Sequence, residues 1–291
     1  MDRGPVRLKV LRRAYSQRIL AAAGVTDARL ARAFAEVPRE DFLGPGPWPV
    51  YDLARGTYVT TPDADPAHIY TDDLVGIVPA RHINNGQPSF HASLLSQAQP
   101  REGEHVVHVG AGVGYYSAIL ARLVGRSGRV TAIEFDRDLA ARASTNLMPY
   151  RNVRVIHGDG ASAAFDEAGC IYVNAGVTRP AASWLDRLAD GGRLVLPLTA
   201  AGLLRADDPP DMQQRGGVFL IERAGETFLA RWISGVAIFP CASSRDDASE
   251  HALAAAIRAS DARRVTRLFR TEDVADERCW LRGPGWCLAY R

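Results

Sequence analysis

The sequence predicts an α/β protein built on a Rossmann-like, doubly wound and mostly parallel sheet. Three observations predict it. Short apolar runs alternate with amphipathic helical segments between residues 105 and 199, a glycine-rich turn "GAGVG" follows the first run, and the next two runs end in the acidic residues Glu134 and Asp159. A hydrophobic fraction of 47% in 291 residues is enough to fill the core such a sheet requires.

The elements follow in chain order. Residues 6–36 read as two helices, with Thr26 or Asp27 as N-cap of the second, broken at "PREDFLGPGPWP". A loop-rich stretch from Val50 to about Pro88 contains "HINNGQP", too rich in Asn and Gly for a good strand or helix and read as an ordered loop facing something. "SFHASLLSQAQ" has helical spacing. Then come strand "HVVHVG", the glycine turn, helix "YYSAILARLVG" closed by Gly125, strand "RVTAIEFD", helix "RDLAARASTNLMPY" and strand "VRVIHGDG". Strand "GCIYVNAG", helix "PAASWLDRLADGG" and strand "RLVLPLT" complete the alternation. Beyond Ala200 a hairpin turns at "AGET", a helix covers "ASEHALAAAIRAS", a strand "RRVTRLFRT", and a last hairpin turns at "GPG". The expected organisation is N-terminal helices and an active-site loop over 1–88, a cofactor-binding core over 89–200, and sheet-completing strands with a C-terminal α+β extension over 201–291.

Composition narrows the function classes. The net charge is +2, Lys9 is the sole lysine, and the arginines are scattered among matching acids, so no nucleic-acid partner is expected. The fourth strand of the alternation ends in "VNAGVT" rather than the N-P-P-aromatic pattern that holds a flipped base. No apolar leader and no run of eighteen apolar residues is present, so a cytoplasmic location and no membrane association are expected. Cys170, Cys241, Cys279 and Cys287 show no C-x-x-C pair or metal spacing; free thiols in a reducing compartment and no metal site are expected.

Gly110, Gly112 and Gly114 form G-x-G-x-G, with Tyr115 where a dinucleotide fingerprint has its third glycine. Such a turn brings backbone close to a ligand at the carboxyl end of the first strand. Glu134, about twenty residues on, can accept both hydroxyls of a ribose, and Asp159 in "HGDG" can accept from an exocyclic amine. These residues resemble the S-adenosylmethionine-dependent class I methyltransferases. The resemblance extends to the protein-L-isoaspartate O-methyltransferase family over roughly Ala33 to Leu198, carried by "AFAEVPREDFL", "IYTDDL", "GQP", "VVHVGAGVGYYSAILARLVG", "VTAIEFD", "NVRVIHGDG", "YVNAG" and "LADGGRLVLPL".

That resemblance implies S-adenosyl-L-methionine as cofactor, held by His108, Gly110, Ala111, Gly112, Gly114, Tyr115, Glu134, Phe135, Asp159, Gly160 and Asn174. It also implies methylation of a carboxylate on a protein or peptide, with Asp72, Asn84, Asn85, Gly86 and Gln87 around the acceptor. Two positions depart from the family pattern. Gly86 stands where the family loop carries a serine beside the substrate carboxylate, unless Ser89 is moved there by a three-residue shift of register. His108 stands where an acidic residue is usual.

A carboxylate is already an anionic nucleophile, so in-line methyl transfer to it needs orientation and desolvation and no base. Amide and backbone N–H groups of residues 84–87 can hold it without a serine. For a neutral acceptor, His82, His91 and His157 are the nearest candidate bases. Packing is the alternative for His91, Trp280 and Trp286, an Asx-turn for Asn84 and Asn85, and a solvated surface position for Asp72. A methyltransferase acting on a small molecule or modified peptide, and a cofactor-binding homologue without transfer, are the alternative functions.

Overall fold

The structure is a computed structural model that describes residues 4–201, 215–238, 244–259 and 261–290. Helices α1 (Gly4–Ala22) and α2 (Ala28–Glu36) form the N-terminal preface, and Asp27 caps α2 by accepting the N–H groups of Arg29 and Leu30. A single turn, α3 (Glu40–Leu43), leads into β1 (Pro49–Asp52) and β2 (Thr57–Thr60), an antiparallel pair. Strands β3 (Gly76–Val78) and β4 (Ile83–Asn84) form a second small hairpin, so the first half of the Asn-rich loop is paired and only its second half is free of a ladder. Helix α4 (Pro88–Ala98) follows directly, with Pro88 as its first residue.

The main sheet begins with β5 (His105–Val109), α5 (Tyr115–Val124), β6 (Arg129–Glu134), α6 (Arg137–Asn146), β7 (Val153–His157) and β8 (Ala168–Val173). It continues through α7 (Ala182–Asp186), β9 (Leu188–Ala200), β10 (Arg215–Ala224), β11 (Thr227–Ala237), α8 (Asp247–Ala259), β12 (Arg267–Phe269), β13 (Cys279–Gly283) and β14 (Trp286–Ala289). Ten strands lie in the order β13-β14-β12-β11-β10-β9-β8-β5-β6-β7. Pairs from β9 to β7 are parallel, and all pairs beyond β9 are antiparallel. Succession from β5 runs outward to β6 and β7, whereas β8 and β9 lie on its other side. The crevice of a doubly wound sheet opens at such a reversal, here between the carboxyl ends of β5 and β8.

Alternation along each strand builds the two faces. Val106, Val130, Ala132 and Tyr172 join the core beneath α1, α2, α4 and α5, while Val107, Val109, Ile133 and Val173 join Trp184, Leu253 and Trp280 on the other face. Arg193 on β9 is 5% exposed and pairs with Glu104 at 2.7 Å while donating to the carbonyls of Ala98, Gln99 and Gly169. That one guanidinium fixes the end of α4 to the amino-terminal edge of the sheet.

Three expectations are corrected. The helix expected over 180–192 is only the five residues of α7, because Leu188 already pairs with Ala168, and Gly191 and Gly192 are poor helix formers. The strand expected over 263–271 shrinks to β12, since a 3₁₀ turn covers Ala262–Arg264. Cys279 and Cys287 are not free thiols: the closing hairpin brings their Cα atoms to 6.3 Å and they form a disulfide. Cys170 is buried and free, and Cys241 lies outside the described residues.

Candidate cofactor and acceptor site

The glycine turn is built from β5 and β6 together. The N–H groups of Gly110 and Ala111 both donate to the Ile133 carbonyl, at 2.9 and 3.1 Å, which locks the turn to the neighbouring strand. Gly110 has φ +75°, and a Cβ there would stand 2.9 Å from the Asn174 carbonyl, so only glycine fits where β5 and β8 part. Asn174 donates its backbone N–H to Val109 and its side-chain amide to the Gly110 carbonyl at 3.4 Å. Gly112 faces open space, and its N–H donates to Glu134 Oε2 at 2.7 Å.

Glu134 ends β6 with its carboxylate 8% exposed, the other oxygen accepting from Asp136 N at 2.9 Å. Burial raises its pKa, and the two backbone donors oppose that shift. Each oxygen retains a lone pair. Phe135 is 58% exposed beside it. On the next turn, Asp159 accepts from Ala161 N and the Ser162 hydroxyl, while Trp184 donates to the Gly160 carbonyl at 2.7 Å. Gly114 packs against Leu147 of the residue run after α6.

Two of the expected cofactor residues lie below the surface. Tyr115 is 1% exposed, its ring 5.6 Å from Phe42 and its hydroxyl 3.5 Å from that of Tyr15; its side chain belongs to the core and only its backbone borders the turn. His108 is fully buried, with Nδ1 2.8 Å from the Ser117 hydroxyl on α5, and burial pushes its pKa down to about 3. Its Nε2 has no hydrogen-bond partner among the described residues. Carboxylates at two successive strand ends, open space over Gly112 and this orphaned ring nitrogen fit a nucleoside cofactor carrying hydroxyl and amine donors.

On the acceptor side, the loop 69–73 is held from beneath. Arg39 is fully buried and donates to the carbonyls of Ile69, Thr71 and Asp73 at 2.6 to 3.0 Å. This presents Asp72 to the amino terminus of α4, where it accepts from Ser89 N at 2.7 Å, Ser89 Oγ at 2.5 Å and Gln87 Nε2 at 3.0 Å. A carboxylate from a distant segment thus caps the helix. Asn84 Oδ1 accepts from Gly86 N at 2.8 Å, the Asx-turn alternative realised. Asn85 is 6% exposed, its backbone N–H pairs with Val75, and its side-chain nitrogen has no partner among the described residues.

Three sets of contacts were not legible in the sequence. His91 on α4, a candidate base with packing as its alternative, is 2% exposed, with Nδ1 2.8 Å from the Tyr172 hydroxyl and its ring stacked on Tyr116 at 3.6 Å. Arg81, in the turn between β3 and β4, pairs with Asp136 at 2.6 Å and so ties the acceptor loop to the start of α6 beside Glu134. Arg39 acts through carbonyls thirty or more residues away, which sequence spacing does not reveal. His82 takes a left-handed conformation at the end of that same turn, and His157 is exposed at the end of β7.

Sheet order, glycine turn and strand-end carboxylates define a chain of the class I methyltransferase fold. Residues 16–207 match the family described as protein-L-isoaspartate(D-aspartate) O-methyltransferase, and the chain belongs to that family. It is 34% identical over 233 residues to the protein-L-isoaspartate O-methyltransferase of Ralstonia nicotianae, covering 76% of this chain and 65% of that one. It is 29% identical over 186 residues to that of Thermotoga maritima, covering 62% of this chain and 53% of the relative. The chain therefore spans just over half to just under two thirds of these two relatives. Among solved structures, a protein-L-isoaspartate O-methyltransferase superposes with TM-score 0.63 at 22% identity, over 90% of this chain and 74% of the other, a likeness of fold.

Proposed function

We propose that the protein is an S-adenosylmethionine-dependent O-methyltransferase acting on a carboxylate of a protein or peptide, as the names of its relatives describe for them. The observation that carries this reading is Glu134. Its carboxylate is held at the end of β6 by the Gly112 N–H, over open space at the reversal of strand order, in a chain of this family.

In this reading Glu134 accepts the ribose hydroxyls, Asp159 and the Gly160 turn border the base, and Phe135 offers a ring face. The backbone of Gly110 to Gly112 borders the methionine end, with Asn174 closing the crevice. S-adenosylmethionine would supply a sulfonium methyl with sulfur as the leaving group, a chemistry that asks no proton transfer of a carboxylate acceptor. The residues of this chain therefore have to orient the acceptor in line and exclude water. Asp72 and Gln87 act by fixing the start of α4, and Asn84 by shaping the turn at Gly86.

The test is transfer of labelled methyl from S-adenosylmethionine to matched isoaspartyl and aspartyl peptides, with cofactor binding followed by calorimetry. Selective, base-labile labelling of the isoaspartyl peptide is expected. Tight cofactor binding with neither peptide labelled would overturn the substrate assignment. The proposal keeps a cytoplasmic location, which subcellular fractionation of the source cells tests. Among the described residues no helix is long and apolar enough to cross a membrane.

A further inference from the structure

Five asparagines occur in the chain, and one of them, Asn85, is followed by glycine. The side-chain amides of the other four are held. Asn84 Nδ2 donates to the His82 carbonyl at 3.3 Å, Asn146 to that of Val113 at 3.0 Å, Asn152 to those of Ala121 and Gly125 at 3.1 and 2.8 Å, and Asn174 to that of Gly110 at 3.4 Å. Asn85 Nδ2 is buried and has no partner among the described residues. The amide left unheld stands before the one residue type that puts no Cβ in the way of its own backbone nitrogen.

Such a pair has a chemistry of its own. A backbone nitrogen attacks the side-chain carbonyl carbon of the preceding asparagine: the N–Cγ bond forms, the Cγ–Nδ2 bond breaks, and ammonia leaves with the proton that water relays from the backbone N–H. The product is a cyclic imide. Water opens it at Cγ to give aspartate, or at the main-chain carbonyl carbon to give isoaspartate, whose chain runs through Cβ and Cγ and whose free carboxylate stands on Cα.

The loop restrains the nucleophile rather than the leaving group. The Gly86 N–H donates to Asn84 Oδ1 at 2.8 Å, so that bond has to break before the nitrogen can turn to Asn85 Cγ. The peptide is anchored on both sides, the Asn85 N–H donating to the Val75 carbonyl at 2.8 Å and the Tyr116 hydroxyl to the Gly86 carbonyl at 3.4 Å. Position 86 has little freedom to be anything else: its φ is +70°, and a Cβ there would overlap His91 Nε2. The packing that demands glycine also creates the reactive sequence.

We propose that Asn85–Gly86 is a self-modification site in the acceptor loop, guarded by Asn84: when Asn84 Oδ1 releases the Gly86 N–H, the pair closes to the imide and opens to aspartate or isoaspartate. Asn85 is 6% exposed, so the new carboxylate occupies a place packed for a neutral amide and forces the loop to rearrange. Resting on the carboxylate-acceptor reading, the modified loop repels the acceptor and weakens its binding.

Wild type, Asn84→Ala and Asn84→Asp, incubated folded at mildly alkaline pH and followed by peptide mapping with mass spectrometry, test the guard without reference to activity. Conversion of amide to acid at residue 85 should run about 2- to 10-fold faster in Asn84→Ala than in wild type, the range for losing one neutral hydrogen bond. Asn84→Asp, which keeps an oxygen for the Gly86 N–H, should return close to the wild-type rate, and Asn152 should stay an amide throughout. Equal rates at residue 85 in wild type and Asn84→Ala, no protection in Asn84→Asp, or conversion no faster at residue 85 than at Asn152 would overturn the proposal. Asn84→Ala protein separated by charge into modified and unmodified fractions should show a KM for isoaspartyl peptide about tenfold or more higher in the modified fraction, with cofactor affinity unchanged. Equal KM values would overturn the effect on the acceptor. If unmodified wild type binds cofactor and labels neither peptide, the carboxylate-acceptor reading fails, and the peptide map still decides the modification.

Discussion

Lowering pH from 7.5 to 5.5 should destabilise the protein through two buried imidazoles. His91 and His108 are 2% and 0% exposed, and burial lowers both pKa values, that of His108 to about 3. A histidine whose folded pKa lies below its unfolded value of about 6.5 is protonated first in the unfolded chain. Its stabilising contribution is therefore complete above that value and declines as pH falls towards the folded pKa. One pH unit below 6.5 the loss is about 1.4 kcal/mol for His108, and His91 and His105, both lowered by burial, add to it in the same direction. Glu134, raised by burial, opposes them as pH falls, so the comparison of wild type with a His108 variant isolates that histidine. With an unfolding entropy of about 2.1 cal/mol/K per residue, the His108 loss corresponds to a fall of about 2 °C in Tm. Urea denaturation at pH 7.5, 6.5 and 5.5 measures it, and the double variant His108→Leu/Ser117→Ala should reduce the pH-dependent loss by about 1.4 kcal/mol. An equal loss in wild type and variant would refute the claim that His108 is held neutral in the folded chain.

Other perturbations probe the site from different sides. Glu134→Gln should weaken S-adenosylmethionine binding about 10- to 100-fold by calorimetry, because it removes the charged acceptor and mismatches the Gly112 N–H. Asp72→Ala should cost about 1–2 kcal/mol in urea denaturation, since it removes the cap of α4, and Asp72→Asn should recover part of it. Arg81→Ala breaks an ion pair whose arginine is 58% exposed, so cofactor affinity should fall no more than about fivefold and converge with wild type at high salt. Gly86→Ser should lower stability by about 1–3 kcal/mol by forcing the His91 ring aside, and the double variant Gly86→Ser/His91→Ala should regain part of that in the same assay.

The sheet was legible because its signal is local and repeated. The inner parallel strands β5, β6 and β8 are buried on both faces and read as apolar runs, and the helices after β5 and β6 carry their own 3.6-residue pattern. The same locality accounts for the errors. Residues 188–192 carry polar and glycine residues that resemble a helix end, but pairing of Leu188 with Ala168 draws them into β9. Cys279 and Cys287, eight residues apart, become neighbours only once the last hairpin forms. Tyr115 directly follows the glycine turn and was expected at the cofactor, yet its large ring packs beside Phe42 and Tyr15.

The cofactor side of the site was legible for a related reason: its residues stand at strand ends, and strand ends converge in a doubly wound sheet whatever the intervening sequence. The acceptor side required helix geometry. Gly86 read alone is a lost hydroxyl, and His91 read alone is either a candidate base or a packing residue on an amphipathic helix. Placing the N-cap at Gln87 makes them the pair flanking the first helical turn, positions that meet whenever a chain enters a helix this way. Residue 86 has to be small because residue 91 is an imidazole, and the imidazole can turn back because residue 86 is glycine. Tyr172, whose hydroxyl lies 2.8 Å from Nδ1, then fixes how the ring lies against residue 86.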